Sequence, residues 1–174
     1  MNQKQEMQFI MRAVSVRIIL NPLRMKKSLL LMAFAMFLGV KSYAQADQIL
    51  GIWLTAEGNS QVEITKAPNG QFVGRIVWME EPLDEQGRPK VDKDNPNASL
   101  RTRPLQNLMI LQGFTFNANR REWSGGTIYD PQEGKTYDAV MRLDGNNKLI
   151  LRGFVMGMRM LGRNSEWTRE RARR

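Results

Sequence analysis

The sequence predicts an all-β fold, either a closed antiparallel barrel of eight strands or a β-sandwich. Eight short segments rich in aromatic and β-branched residues follow residue 47, and turn residues separate them at spacings of about 8–12 residues. No segment between them shows a convincing helical period. Eight is also the strand number at which a closed barrel either fills its interior with side chains or holds one small ligand.

The clearest strand–turn–strand pattern lies between Trp123 and Tyr137, with a turn at Asp130-Pro131. Strict alternation along these two strands predicts one shared face. Its predicted members are Trp123, Gly125, Thr127 and Tyr129 before the turn and Tyr137, Ala139, Met141 and Leu143 after it.

The other strands follow from similar patterns, bounded by turn residues such as Pro68-Asn69-Gly70 and Asp144-Gly145. In the third strand both faces are apolar, so we expect one to face the interior and the other to be covered by a helix, a partner or a loop. The apolar sets are Phe72, Gly74, Ile76 and Trp78 on one face and Val73, Val77 and Met79 on the other. In chain order, the predicted strands are 50–56, 61–66, 71–80, 108–116, 122–129, 136–143, 148–155 and 164–170.

Residues 81–106 form a long charged connection that contains four prolines. Connections of this length are usually lids or mobile segments, so we expect a possible lid over the barrel. The nearby Asp92 and Asp94 suggest a calcium loop, but Asn97 stands where that loop requires glycine and Arg103 where it requires glutamate. We therefore predict no metal site.

Residues 1–46 have the features of a leader that contains a secretory signal peptide. Lys26-Lys27 precede an apolar run over residues 29–40, which is too short to span a bilayer. Small residues then predict cleavage between Ala44 and Gln45, with cleavage before Asp47 as the alternative. The segment before Met25 is unusually long, which indicates Met25 as the true start. We expect export to the periplasm or the medium; a retained signal anchor is the alternative.

Composition removes several classes of enzyme. The chain contains no cysteine and no histidine, which excludes Ser-His-Asp and Cys-His catalysis and His- or Cys-ligated zinc. No spacing selects an acid–base pair, although an enzyme that uses Glu63 or Asp138 stays open as a minor alternative. We predict a protein that is not an enzyme and has no cofactor.

The net charge of +9 does not indicate nucleic-acid binding. Residues 1–46 carry seven of the 26 basic residues and one of the 17 acidic residues, so the remaining chain has an excess of only three. The C-terminal arginines from Arg169 to Arg174, set against Glu170, account for that excess. We therefore predict no nucleic-acid partner. The basic tail over residues 171–174 could contact an anionic envelope surface weakly or be a solvated end.

Aromatic residues supply the candidate ligand site. Because barrel interiors suit apolar ligands, the predicted lining is Trp53, Trp78, Trp123, Tyr129, Tyr137 and Arg152. Two alternatives stay open: the aromatic residues are simply core, and Arg152 is exposed. Gly51-x-Trp53 also resembles the short signature of lipocalins, in which an arginine of the last strand covers the tryptophan; Arg169 is the candidate for that lid.

A longer set of motifs resembles the bacterial family called domain of unknown function 2147, over nearly all of residues 48–170. The motifs are Gly51-x-Trp53, Gly74 to Trp78, Asp94 to Pro96, Leu100-Arg101, Arg103 to Leu105, Trp123 to Pro131, Gly134 to Tyr137, Leu151 to Phe154, Leu161 to Arg163 and Trp167 to Arg169. The resemblance implies a small exported protein with a lipocalin-type barrel, which we place at residues 47–170.

Two functions follow from this reading. The first is an exported, non-enzymatic lipocalin-like protein that binds a small apolar or amphipathic ligand in the barrel. The alternative is a structural or protein-interaction module of the cell envelope with a filled barrel. Fold-level resemblance alone does not choose between them.

Overall fold

The computed structural model describes residues 45–173. The predicted signal peptide, with Met25 and Ala44, lies outside the described residues, and so does Arg174. Among the described residues, none forms a helix with the length and apolar character needed to cross a membrane.

Eight antiparallel strands close into one barrel, in which each strand pairs with its chain neighbours and the last pairs with the first. This confirms the prediction of an all-β, eight-stranded antiparallel barrel. The strands are β1 (Gly51–Leu54), β2 (Ser60–Lys66), β3 (Phe72–Met79), β4 (Met109–Asn117), β5 (Glu122–Asp130), β6 (Lys135–Asp144), β7 (Lys148–Phe154) and β8 (Arg163–Glu170). Short 3-10 turns lie at Asp47–Ile49, Ala98–Leu100 and Arg159–Leu161.

The up-and-down topology gives the barrel two different ends. The β2–β3, β4–β5 and β6–β7 turns, together with the N-terminal segment, lie at one end, which we call the closed end. At the opposite end, which we call the open end, lie the β1–β2, β3–β4, β5–β6 and β7–β8 connections.

The N-terminal segment seals the closed end. Ala46 and Ile49 are buried, and their carbonyl oxygens accept the indole N–H groups of Trp123, at 3.0 Å, and Trp53, at 2.9 Å. Both tryptophans are nearly fully buried, so each needs such a polar partner. The segment therefore both plugs the barrel and satisfies the two largest side chains of its core.

Strand register shows which residues face inward, because directly paired residues share a face. Trp53 pairs with Val62, Met141 with Leu151, and Leu149 with Trp167, and all six are buried. The central and closed parts of the barrel are filled by Trp53, Val62, Ile64, Phe72, Ile76, Leu111, Phe114, Trp123, Met141, Leu149 and Trp167.

Two bulges reverse the alternation that the sequence predicts. In β3 the register shifts opposite Gln61, so Trp78 pairs with Gln61 on the outer face while Met79 packs on the core. In β5 the register shifts between Trp123 and Gly126, where Gly125 has φ +78°. As a result Trp123 faces inward and Tyr129 outward, which corrects the predicted single face.

The C-terminal tail covers the outer face of β3. The buried Gln61 amide donates to Glu170 and to the Arg171 carbonyl, at 3.0 and 2.9 Å, and its oxygen accepts the Arg173 backbone N–H. The Arg173 guanidinium lies 4.8 Å from the Trp78 ring centroid. The outer face of β3, which we expected a helix, a partner or a loop to cover, is therefore covered at Trp78 by the chain's own tail.

Candidate functional site

A cavity of about 600 Å³ opens at the open end and continues into the barrel. Inward-facing residues of β6, β7 and β8 line it, and its rim includes turn residues together with the outward-facing Phe154 and Asn164. The lining includes Tyr137, Leu151, Gly153, Arg163 and Ser165, with Glu57, Asp130, Glu133 and Lys135 at the rim. A smaller depression of about 270 Å³ lies outside the closed end beside Arg169. The larger cavity is the candidate site, because only it continues the barrel interior.

The floor of the cavity combines one apolar and one hydroxyl side chain. Leu151 and Ser165 pair across β7 and β8, directly above the buried Trp167. The Trp167 indole N–H donates to Ser165 Oγ at 2.9 Å. Because that bond occupies a lone pair of the oxygen, the hydroxyl proton is available as a donor, and no acceptor among residues 45–173 takes it.

The rim carries charges of both signs, and several of them are already engaged. Glu133 accepts a hydrogen bond from the Tyr137 hydroxyl at 2.6 Å and one from Lys135 at 3.2 Å. The bond from Tyr137, followed by that from Lys135, lowers the pKa of Glu133, and the same Glu133 bond raises the pKa of Tyr137. Asp130 accepts the backbone N–H groups of Gln132 and Glu133.

Two rim charges are not engaged in this way. The side chains of Arg163 and Glu57 make no hydrogen bond or ion pair with other described residues. Arg163 pairs in register with Gly153, one inward position nearer the rim than Ser165. Arg163, whose charge also contributes to the lowered pKa of Glu133, and the available hydroxyl of Ser165 therefore lie on the same inner face of β8.

Apolar residues of the β7–β8 connection border the cavity. Val155 and Leu161 line it and are also partly open to solvent. Of the eight exposed large hydrophobic residues in the described part, five lie in this connection, including Met156 at 85% and Met160 at 92% exposed. The mouth of the cavity is therefore amphipathic.

The closed end is organised around Arg169 and Trp53. The Arg169 guanidinium lies 4.1 Å from the Trp53 ring centroid and donates to the carbonyls of Leu50, Asn146 and Gln48. Partial burial lowers the pKa of Arg169. Gly51 has φ +126°, and a Cβ there would stand 2.9 Å from Arg169 Nη1. This geometry explains why a glycine two residues before the tryptophan accompanies the arginine.

The long β3–β4 connection is pinned to the outer wall, which corrects its prediction as a mobile lid. Asp92 is fully buried and accepts hydrogen bonds from Tyr129 at 2.6 Å, Asn95 at 2.7 Å and Arg103 at 2.9 Å. We call these four residues the loop anchor. Gly134 adds a close contact, since a Cβ there would overlap the Asp94 carbonyl.

Hydrogen bonding and burial act in opposite directions on the loop anchor. Burial raises the pKa of Asp92, but the bonds from Tyr129, Asn95 and Arg103 outweigh it and hold that pKa below its ordinary value. Burial, and then the bond to Asp92, raises the pKa of Tyr129. No group of three or more acidic side chains among residues 45–173 is placed to hold a metal ion.

The predicted site residues separate into three places. Only Tyr137 lies at the cavity. Trp53 and Trp123 belong to the core at the closed end, and Trp78 and Tyr129 face outward. Arg152 pairs with Val140, also on the outer wall, and its guanidinium binds the Arg159 and Met160 carbonyls and Asn164. The predicted lining is therefore corrected for Trp78, Tyr129 and Arg152.

Four residues of the cavity were not predicted from the sequence: Leu151, Gly153, Arg163 and Ser165. Alternation in the last strand could have found two of them, because Arg163, Ser165, Trp167 and Arg169 recur with period two and share one face. Knowing that Trp167 points inward would have placed Ser165 and Arg163 beside it.

Comparison with known proteins identifies the family. Residues 51–169 match the model of DUF2147, described as an uncharacterized protein conserved in bacteria. The chain belongs to the DUF2147 family. None of the curated proteins matches it significantly. Among solved structures, this DUF2147 barrel is similar to HP1028 of Helicobacter pylori, described as belonging to the lipocalin family. The TM-score is 0.59 at 28% identity, and the match covers 70% of this chain and 82% of HP1028.

Proposed function

We propose that this DUF2147 protein is an exported binding protein that holds a small amphipathic molecule in the cavity at the open end, without chemical turnover. One observation carries the proposal: the barrel is filled at the closed end and hollow at the open end. A cavity of about 600 Å³ is within the usual range for small-molecule sites.

The lining favours an amphipathic ligand over a purely apolar one. Leu151, Val155 and Leu161 supply apolar surface, whereas Ser165, Arg163 and the Glu133–Lys135 pair supply polar groups. The similarity to HP1028, described as a lipocalin, supports a ligand-binding role by analogy.

Export is supported by the leader and by the position of Ala46. Cleavage between Ala44 and Gln45 would keep the Ala46 carbonyl that accepts the buried Trp123 indole N–H. Cleavage before Asp47 would remove that acceptor and leave a buried donor without a partner. N-terminal sequencing of the protein recovered from the periplasm or medium should therefore give Gln45; a mature start at Asp47, or recovery only from the cytoplasm, would contradict this part of the proposal.

A cavity-filling variant tests ligand binding. A Cβ added at Gly153 would meet Tyr137 Cβ and Ile128 Cγ2 at 3.7 and 3.8 Å, which are ordinary contacts, so Gly153→Val should fold. Its added methyl groups would occupy the cavity and weaken binding of the uncharged probe Nile red by at least about tenfold. Thr168→Val, on the outer face of β8, is the matched control. Equal Nile red binding by wild type and Gly153→Val would contradict the proposal.

The second candidate is an envelope interaction module. The exposed Met156 and Met160 favour it, because large exposed apolar side chains often mark contact sites. Crosslinking of the exported protein to one reproducible partner, lost in Met160→Ser, together with no Nile red binding, would select this function. The predicted weak contact of the C-terminal arginines with an anionic surface stays a prediction.

A further inference from the structure

We propose that the cavity recognises its ligand through a carboxylate, held by Ser165 at the floor and Arg163 above it. This inference rests on the proposed function, and it names the chemical class of the ligand: an organic acid with a short apolar body. It assigns recognition to two β8 residues outside the predicted aromatic lining.

The Ser165 hydroxyl is oriented by its contact with Trp167. Trp167 is only 3% exposed, and its N–H fixes the Ser165 oxygen at 2.9 Å. A hydroxyl that accepts such a bond is left with its own proton to donate. Since no described residue accepts that proton, the donor is available to an acceptor oxygen placed on the cavity floor.

Arg163 supplies the positive charge of the site. Its side chain lines the cavity and makes no hydrogen bond or ion pair with other described residues, although its charge adds to the bonds from Tyr137 and Lys135 in lowering the pKa of Glu133. Inner-face positions two residues apart on a strand are about 7 Å apart, which an extended arginine side chain can cover. Arg163 can therefore fold toward a group bound at Ser165, and arginine matches the planar, two-oxygen geometry of a carboxylate.

Acidic residues of the rim would repel an anion if nothing opposed their charges. Glu133 is engaged by Tyr137 and Lys135, and Asp130 by two backbone N–H groups. Glu57 is the remaining acid without such a partner, and it is exposed on the β1–β2 turn, where water screens its charge. The unengaged donors of the cavity thus favour an acceptor with negative charge.

The cavity also has apolar side chains at its floor and at its mouth. Leu151 lies beside Ser165 on the floor, and Val155 and Leu161 lie at the mouth. A chain that starts at the Ser165 hydroxyl and extends toward the mouth would contact all three. An eight-carbon acid is a suitable probe, because its chain gains about 0.8 kcal/mol for each buried CH₂ group whether or not the head group is recognised.

Three probes with the same chain and different head groups test the inference on the mature protein from Gln45. Octanoate, 1-octanol and octylammonium are titrated separately, with calorimetry and the Trp167 indole N–H resonance as readouts. We expect octanoate to bind at least about tenfold more tightly than octanol, since charge-assisted bonds are stronger than neutral ones, and octylammonium to bind most weakly.

Variants of the two residues separate the head-group contact from burial of the chain. Arg163→Gln and Ser165→Ala should each weaken octanoate binding about five- to tenfold, and Arg163→Gln should leave octanol binding within about twofold. Arg163→Lys should restore part of the octanoate affinity. Arg142→Gln, an exposed arginine of β6, and Thr168→Ala, on the outer face of β8, are the controls and should bind as wild type does.

The results distinguish failure of this inference from failure of the proposed function. If octanol binds as tightly as octanoate, or if Arg163→Gln and Ser165→Ala bind octanoate as wild type does, the carboxylate site is disproved. Ligand binding in the cavity is not contradicted by either result. If neither these probes nor Nile red bind, both the proposed function and the carboxylate site are disproved. Because Arg163 is exposed, Arg163→Gln should fold even if Ser165→Ala does not.

Discussion

At the closed end, large aromatic side chains point into the barrel and fill it, whereas at the open end the inward positions hold Leu151, Gly153 and Ser165 and leave a cavity. The same strands supply both sets. On β8, for example, Ser165 lies at the cavity and Trp167 lies just beneath it in the core. The change from filled to hollow therefore takes place within two residues of a single strand.

Under the proposed function, this difference separates stability from binding along the barrel axis. Trp53 and Trp123, two of the most conspicuous residues in the sequence, stabilise the closed end and contact the N-terminal segment. The smaller residues at the open end contribute less to the core and leave space for a ligand. Substitutions at the closed end should therefore reduce stability first, and substitutions at the cavity should change affinity first.

The largest expected effect is that of Trp53→Ala at the closed end. Trp53 is fully buried, donates to the Ile49 carbonyl and lies under Arg169. Its removal should lower the free energy of unfolding by about 3–5 kcal/mol, measured by urea denaturation. The exposed Val155→Ser at the open end should change it by less than about 0.5 kcal/mol. Similar losses for both variants would contradict the separation of the two ends.

The loop anchor lies on the outer wall near the open end, and Asp92→Asn should produce the next largest effect. The substitution removes a fully buried charge and weakens the ion pair to Arg103, whose closest N–O distance is 2.7 Å. Because Arg103 is partly exposed, we expect a loss of about 2–3 kcal/mol rather than that of a fully buried pair. Nile red binding at saturating probe should persist; its loss would show that the loop shapes the cavity.

The pH dependence of the same variant gives a further check. The pKa of Asp92 is lower in the folded protein than in the unfolded chain, so the unfolded state takes up the proton first as pH falls. The stability from Asp92 is complete above the unfolded pKa of about 3.9 and is lost as pH falls through the lower folded pKa. The stability gap between wild type and Asp92→Asn should therefore be constant from pH 7 to pH 5 and shrink below about pH 4.

The sequence predicts the strands of this protein far better than it predicts their faces. All eight strands were expected close to their observed limits, because turn residues and alternation are local signals. The bulges in β3 and β5 are not readable in the same way, since each depends on the register of a neighbouring strand. One extra residue in each of these two strands moved Trp78 in β3 and Tyr129 in β5 to the outer wall and removed them from the predicted site.

The cavity was hidden for a related reason. Its floor holds small side chains, and Gly153 carries no pattern that distinguishes it from a turn residue, whereas Ser165 can be placed only once Trp167 is known to point inward. The loop anchor was hidden as well, because Asp92 and Tyr129 are 37 residues apart and only the closed barrel brings them together. By contrast, Gly51, Trp53 and Arg169 could be matched from the lipocalin-type signature before any geometry was available.

Arg169→Met tests the closed end with a smaller change. The substitution keeps an unbranched side chain over Trp53 but removes the cation and its bonds to the Leu50, Asn146 and Gln48 carbonyls. We expect a loss of about 1–2 kcal/mol, because the guanidinium is partly open to solvent. Octanoate and Nile red affinities should be unchanged. A loss of affinity with unchanged stability would instead connect this arginine to the cavity.

The smallest expected effect is that of Arg173→Ala in the C-terminal tail, which packs on the barrel's outer wall rather than at either end. Arg173 lies over Trp78 and forms an ion pair with Glu170 at 2.9 Å, but its side chain is 40% exposed, so water screens much of that interaction. Its removal should cost about 0.5–1 kcal/mol and make Trp78 fluorescence more sensitive to iodide quenching. Arg142→Ala, an exposed arginine on the wall of β6, should change neither quantity. Unchanged quenching in Arg173→Ala would show that the tail does not cover Trp78 in solution, and would leave the basic tail available for the envelope contact that the sequence suggested.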